Sequence, residues 1–187
     1  MITADKLNEY AIWHKPIHDF ELNSYKITSE REIAHAIVYG HRVKVIDGTY
    51  NVTENNKHQC RSRKETKKLL VEIVSELLAS GKKYISFEDI YSEVSLINVF
   101  GRHLTHLMAY DISLRIGSRN NILPHDFVYL HAGPLNGAKK LKEKYYPDLL
   151  IQPPRVETAK IKEVIPEFGD FTAYDIEHFL CIYHSTL

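Results

Sequence analysis

Cysteine is nearly absent: Cys60 and Cys181 are the two copies in 187 residues. They lie far apart and match no metal-ligand spacing, so thiols in a reducing compartment are the expectation. Glycine and proline are also scarce, with 8 and 7 copies, which argues against long linkers. Neither sign of charge is in excess, 24 against 24, so no global field recruits polyanions or membranes. A nucleic-acid surface would have to be a local patch. No apolar run approaches the ~20 residues of a membrane span. The opening MITADKLNEYAIWHKPI lacks the charged-then-apolar layout of a signal peptide, and the Asn51-Val52-Thr53 sequon carries no weight without one. A cytoplasmic protein is the expectation. The nucleophile elbow, Walker loop, dinucleotide fingerprint and HExxH are missing too, so no cofactor and no common catalytic class is assigned.

What is present suits a globular chain: 44% hydrophobic and 26% charged residues, and enough length for one core or one core with an appendage. Tyrosine is abundant, with 12 copies, and favours half-buried positions and interfaces because its ring packs while its hydroxyl stays wet. Residues 1–27 show no clean period and read as an arm packing on a single helical domain, 28–187. Ser29-x-x-Glu32, Ser62-x-x-Glu65 and Thr172-x-x-Asp175 read as capping boxes, and Ser86 as a further cap. Asp47-Gly48 between two strand-like runs predicts a type I′ hairpin at about 43–53, the only β-structure expected. Thr66, Leu70, Ile73, Val74 and Leu77 share one helical face, with Arg61, Lys64 and Lys68 opposite. Arg102 to Ile116 reads as a helix ended by Gly117. The fold class is mainly α, a multi-helix domain with one small hairpin. AlaTyrAspIle occurs at 109–112 and 173–176, but the flanks differ and no repeat is inferred.

In VYLHAGPLNGAKKL, residues 128–141, Gly133 can supply a turn, Ala138 a close-contact alanine, Leu130 and Leu141 apolar flanks, and Lys139 and Lys140 trailing positive charge. This stretch resembles the helix-hairpin-helix family of DNA-repair and recombination proteins, at about 125–142 only. The resemblance implies two short helices whose hairpin binds a phosphate, through Gly133, Leu135, Asn136, Gly137, Lys139 and Lys140. Amides at a helix start suit a phosphate oxygen, and lysines add salt-sensitive attraction. The family's two glycines lie two apart, whereas here Ala132 and Pro134 flank Gly133, and Pro134 removes an N–H. A second reading therefore stays open: Gly133 ends one helix and Pro134 begins the next.

Zero net charge hides a separation. KHQCRSRKETKK (57–68) holds six Lys or Arg against one Glu, and AKKLKEK (138–144) four against one. After Lys162 there is no Lys or Arg, while Glu163, Glu167, Asp170, Asp175 and Glu177 are acidic. Folded onto one side, the basic segments, with Arg61, Lys64 and Lys68, would track a phosphate backbone. On separate sides they are solvated faces. Asp111 and Arg115 fall inside an apolar stripe at i, i+4. Either the pair ties neighbouring backbone, or Arg115 and Arg119 reach a ligand anion with Asp111 orienting Arg115.

Among eleven histidines, His103 and His106 stand at i, i+3 in the expected helix, and His125-Asp126 is similar to the paired His-Asp of the HD phosphohydrolase family. A metal at His103, His106 and Asp126 would support hydrolysis. Asp148 follows the possible hairpin at a distance where a glycosylase would carry an aspartate, with nothing else to fix that role. The reading carried forward is a non-catalytic, sequence-independent nucleic-acid-binding or accessory protein, with DNA or RNA as partner. Metal-dependent phosphohydrolysis is one alternative. The other is an interaction module whose Tyr-rich arm and acidic last helix meet a protein partner or second copy.

Overall fold

The computed structural model describes residues 4–54 and 63–187. The fold is mainly α. The first helical stretch comprises α1 (Ala4–Glu9), a π turn (Tyr10–His14) and α2 (Lys15–Ile27), so the expected irregular arm is helical. Then come α3 (Ile33–Tyr39), strands β1 (His41–Ile46) and β2 (Thr49–Glu54), α4 (Lys64–Ala79) and α5 (Phe87–Ser95). A short hairpin, β3 (Asn98–Val99) and β4 (Arg102–His103), leads into α6 (His106–Arg119). The remainder is β5 (Phe127–Tyr129), α7 (Ala132–Lys144), β6 (Arg155–Glu157), α8 (Thr158–Val164), a 3-10 turn at Pro166–Phe168 and α9 (Ala173–Tyr183).

The chain forms two compact units, Met1–Lys15 with Pro124–Leu187, and Pro16–Leu123, where the sequence suggests an arm and a single domain. The core of the first gathers Val128, Leu130, Leu141, Ile161, Phe168, Ile176, Phe179 and Leu180, with Tyr10 of the π turn fully buried among them. In the second, α5 packs on α6 and α3 on α4. Leu70 and Val74 of α4 are buried and Lys68 is exposed, as the helical face predicts. Burying each such side chain contributes about 1.5–3 kcal/mol.

Local signals set the clearest boundaries. Ser86 accepts a hydrogen bond from the Asp89 amide while Asp89 accepts from the Ser86 amide, a full capping box at α5. Thr172 and Asp175 do the same at α9. Ser29 only opens a turn before α3, whose N-cap is Glu32, and the Ser62 cap falls outside the described residues. At β1–β2, Asp47 and Gly48 take φ of 50° and 74°, the two left-handed positions a type I′ turn demands.

Three expectations are corrected here. The β1–β2 hairpin has company: β3 pairs with β4, and β5 with β6, all antiparallel. Helix α6 begins after the Thr105 cap rather than at Arg102, and it runs through Gly117 to Arg119. Gly117 is no stop signal. A methyl group there would lie 2.1 Å from the Ile122 carbonyl oxygen, so the glycine admits the chain folding back across the helix. Finally, 125–142 holds a strand, a two-residue extended connection and one continuous helix, not two helices around a hairpin. Phe127-Val128-Tyr129 joins β6 through Val128 opposite Val156, a partner far away in sequence.

Candidate nucleic-acid interface

The glycines of α7 serve helix packing. Gly133 and Gly137 face α9, where a methyl group on Gly133 would sit 2.8 Å from Cys181 Sγ and one on Gly137 2.4 Å from the Leu180 carbonyl oxygen. Pro134, Gly137, Ala138 and Leu141 form the buried face. The expected turn glycine, Gly133, thus lies within a helix packed against another, and Ala138 is buried on the same helix. The Leu135 N–H is donated to the His131 carbonyl at 2.8 Å, and Asn136 and Gly137 lie inside the helix. Amides 135–137 therefore present no phosphate cradle.

The lysines of α7 are largely engaged as well. Lys140 donates to the Ser185 carbonyl at 3.1 Å, Lys142 to that of Leu149 at 2.8 Å, and Lys144 to that of Leu187. Lys139 alone of the four has no hydrogen-bond or ion-pair partner among the described residues. The acidic last helix is turned inward too. Asp175 is 1% exposed and lies 2.8 Å from the Lys15 ammonium, and Glu177 contacts the buried His131 ring at 2.9 Å. These carboxylates are structural parts of the first unit.

Arg115 and Arg119 are also fixed inside the fold. Arg115, 5% exposed, donates to the Ile37 carbonyl at 2.7 Å, with Asp111 3.9 Å away. Burial opposes its charge, but Tyr25, Asp111 and Glu21 together hold its pKa above the ordinary guanidinium value. Arg119 bridges the Tyr25 and Thr28 carbonyls at the end of α2, at 3.1 and 3.0 Å, and pairs with Glu30. A cation at a helix C-terminus satisfies carbonyls that the helix leaves open. Neither arginine is presented to a ligand.

The metal constellation does not assemble. His103 lies on β4, not on a helix, and His106 Nδ1 is 3.0 Å from the Tyr91 hydroxyl. Asp126 is exposed beside His125. Among the described residues no group of three or more His, Cys, Asp or Glu side chains could hold a metal ion. None of those residues forms a helix long and apolar enough to cross a membrane.

Unengaged positive charge gathers instead in the second unit. A cleft of about 750 Å³ is lined by Arg63, Glu65, Val99, Phe100, Arg102 and His103, together with Thr66, Leu104, Thr105 and Met108. Arg63 is the N-cap of α4, and Thr105 caps α6 by accepting from the Met108 amide at 3.3 Å. The β3–β4 hairpin supplies Phe100, Arg102 and His103, and its base is closed by the Leu104 amide on the Ile97 carbonyl. Arg63, Arg102 and His103 are exposed, and among the described residues their side chains have no hydrogen-bond or ion-pair partner. Two guanidiniums and an imidazole face one carboxylate, Glu65. Lys64 and Lys68, a turn apart on the exposed side of α4, extend the charge along the helix. Arg61 lies outside the described residues.

No family model, curated protein or solved structure matches this chain. The cleft is therefore judged on its chemistry. Guanidiniums without internal partners retain their donor forks for a planar or tetrahedral oxyanion. The sequence points to Lys64 and Lys68 through the basic run, which also contains Arg63. It gives no sign that Arg102 and Phe100 join them, because that juxtaposition requires β3–β4 to fold beside the start of α4.

Proposed function

We propose that this is a non-catalytic nucleic-acid-binding or accessory protein, one that contacts backbone phosphates without reading base sequence. The contact surface is the cleft of Arg63, Arg102 and His103, extended by Lys64 and Lys68. A single observation carries the reading: Arg63 and Arg102, from separate elements, line one open cleft with no internal acceptor among the described residues. With formal net charge zero, attraction comes from this patch rather than from the whole molecule. Binding is then moderate and governed by counterion release.

Fluorescence anisotropy of labelled oligonucleotides across a salt series tests this. Three or four phosphate contacts give a slope of log K against log salt of about −2 to −4. In the double variant Arg63→Gln/Arg102→Gln the slope becomes shallower by about 1.5, uniformly across base sequences. Absence of binding at low salt, or binding indifferent to salt and to these two arginines, overturns the proposal.

A further inference from the structure

The lip of the same cleft carries a side chain that folding leaves unexplained. Phe100 is 68% exposed at the tip of β3–β4, and among the described residues no aromatic ring or cation packs on it. Its backbone is left-handed, with φ of 53°, followed by Gly101 at 77°. The other hairpin of the second unit makes the same turn, with Asp47 at 50° and Gly48 at 74°. Aspartate is suited to that position because its short polar side chain tolerates the left-handed region. A bulky aromatic there is uncommon and strained. Phe100 therefore bears two unfavourable features, backbone strain and a ring left in water, where an aspartate or asparagine would bear neither. Such an outlier points to a role outside the fold.

We infer that Phe100 is a stacking platform for an unpaired base, which makes the partner single-stranded nucleic acid. This rests on the phosphate-contact reading of the cleft and specifies its ligand. An aromatic ring beside a positively charged groove supplies the two things a single strand offers: a base face to stack and phosphates to neutralise. In a duplex the base faces are already covered by their neighbours. Phe100, Arg102 and His103 are nearly consecutive on one tight turn, and Arg63 borders the same cleft. A strand laid along the arginines thus brings its bases past the ring.

The full chain is titrated with labelled oligo(dT), oligo(U) and a duplex of equal length, comparing wild type, Phe100→Asn, Phe100→Trp and Arg63→Gln/Arg102→Gln. Asparagine fits the turn, so thermal unfolding of Phe100→Asn should occur at or above the wild-type temperature. Its single-strand affinity should fall about tenfold or more, since one stacked base is worth that much. Phe100→Trp should keep it, and weak duplex binding should be the same in all three. Unchanged single-strand binding in Phe100→Asn, with the arginine variant still impaired, overturns stacking and leaves the phosphate reading standing. Equal losses for single strand and duplex make Phe100 a duplex wedge, which also overturns the inference. If wild type binds neither form, both readings fall.

Discussion

Arginine is used in two physically distinct ways in the second unit, and exposure separates them. Arg115 and Arg119 hold backbone carbonyls and carboxylates, whereas Arg63 and Arg102 have no hydrogen-bond or ion-pair partner among the described residues. The sequence pairs Arg115 with Asp111 correctly, because i, i+4 spacing is a local fact. The Ile37 carbonyl that decides Arg115's role comes from a distant helix and leaves no trace in that spacing. The two classes should respond oppositely to mutation. Arg115→Ala strips a buried carbonyl and Asp111 of their partner and should cost about 3 kcal/mol in urea unfolding. Oligonucleotide affinity per folded molecule should stay as in wild type. A variant with wild-type stability and lost binding would show that Arg115 belongs to the interface after all.

Elements whose determinants lie within a few residues of one another are legible in the sequence, and those that need a remote partner are not. Asp47-Gly48, Ser86 with Asp89 and Thr172 with Asp175 each carry their own geometry. Strand β5 is different: Phe127-Val128-Tyr129 is a short apolar run equally consistent with a buried helix, and only β6 settles the matter. Helix α7 is hidden in the sequence for a related reason. Glycine can mark a turn or a close contact, and Gly133 and Gly137 at i, i+4 serve the second purpose against α9. Gly137→Ala places a methyl group 2.4 Å from the Leu180 carbonyl oxygen, with backbone rather than a flexible side chain in the way. Helix propensity alone would favour alanine by about 1 kcal/mol. Overpacking of about 1–3 kcal/mol opposes it and should prevail, giving net destabilisation in chemical denaturation. Lys139→Gln on the exposed side of α7 should change neither stability nor the salt slope.

Across the molecule, tyrosine hydroxyls set the response to alkali in both units. Tyr25 of the second unit is fully buried and pushed up to about 12, chiefly by burial, while donation of the His41 amide to its oxygen and the charge of Arg115 pull the other way. Tyr183 of the first unit is also raised to about 12, by burial first and then by Glu9. Tyr84 is raised too, by burial first and then by Glu93. The native state thus keeps these protons where the unfolded chain, with its hydroxyls near 10, releases them. Between the two values the unfolded state binds fewer protons, so stability declines as pH rises. The contribution is fully present below pH 10 and is lost on approaching 12. For Tyr25, a shift of about two pKa units corresponds to roughly 2–3 kcal/mol. In a tyrosinate absorbance titration Tyr25, Tyr84 and Tyr183 should ionise only as ellipticity is lost. Tyr25→Phe should leave the His41 N–H without its acceptor and cost about 1 kcal/mol at neutral pH. It should also flatten the decline between pH 10 and 12, because the group that drives it is gone. An unchanged alkaline slope in that variant would mean that Tyr25 releases its proton in the folded protein.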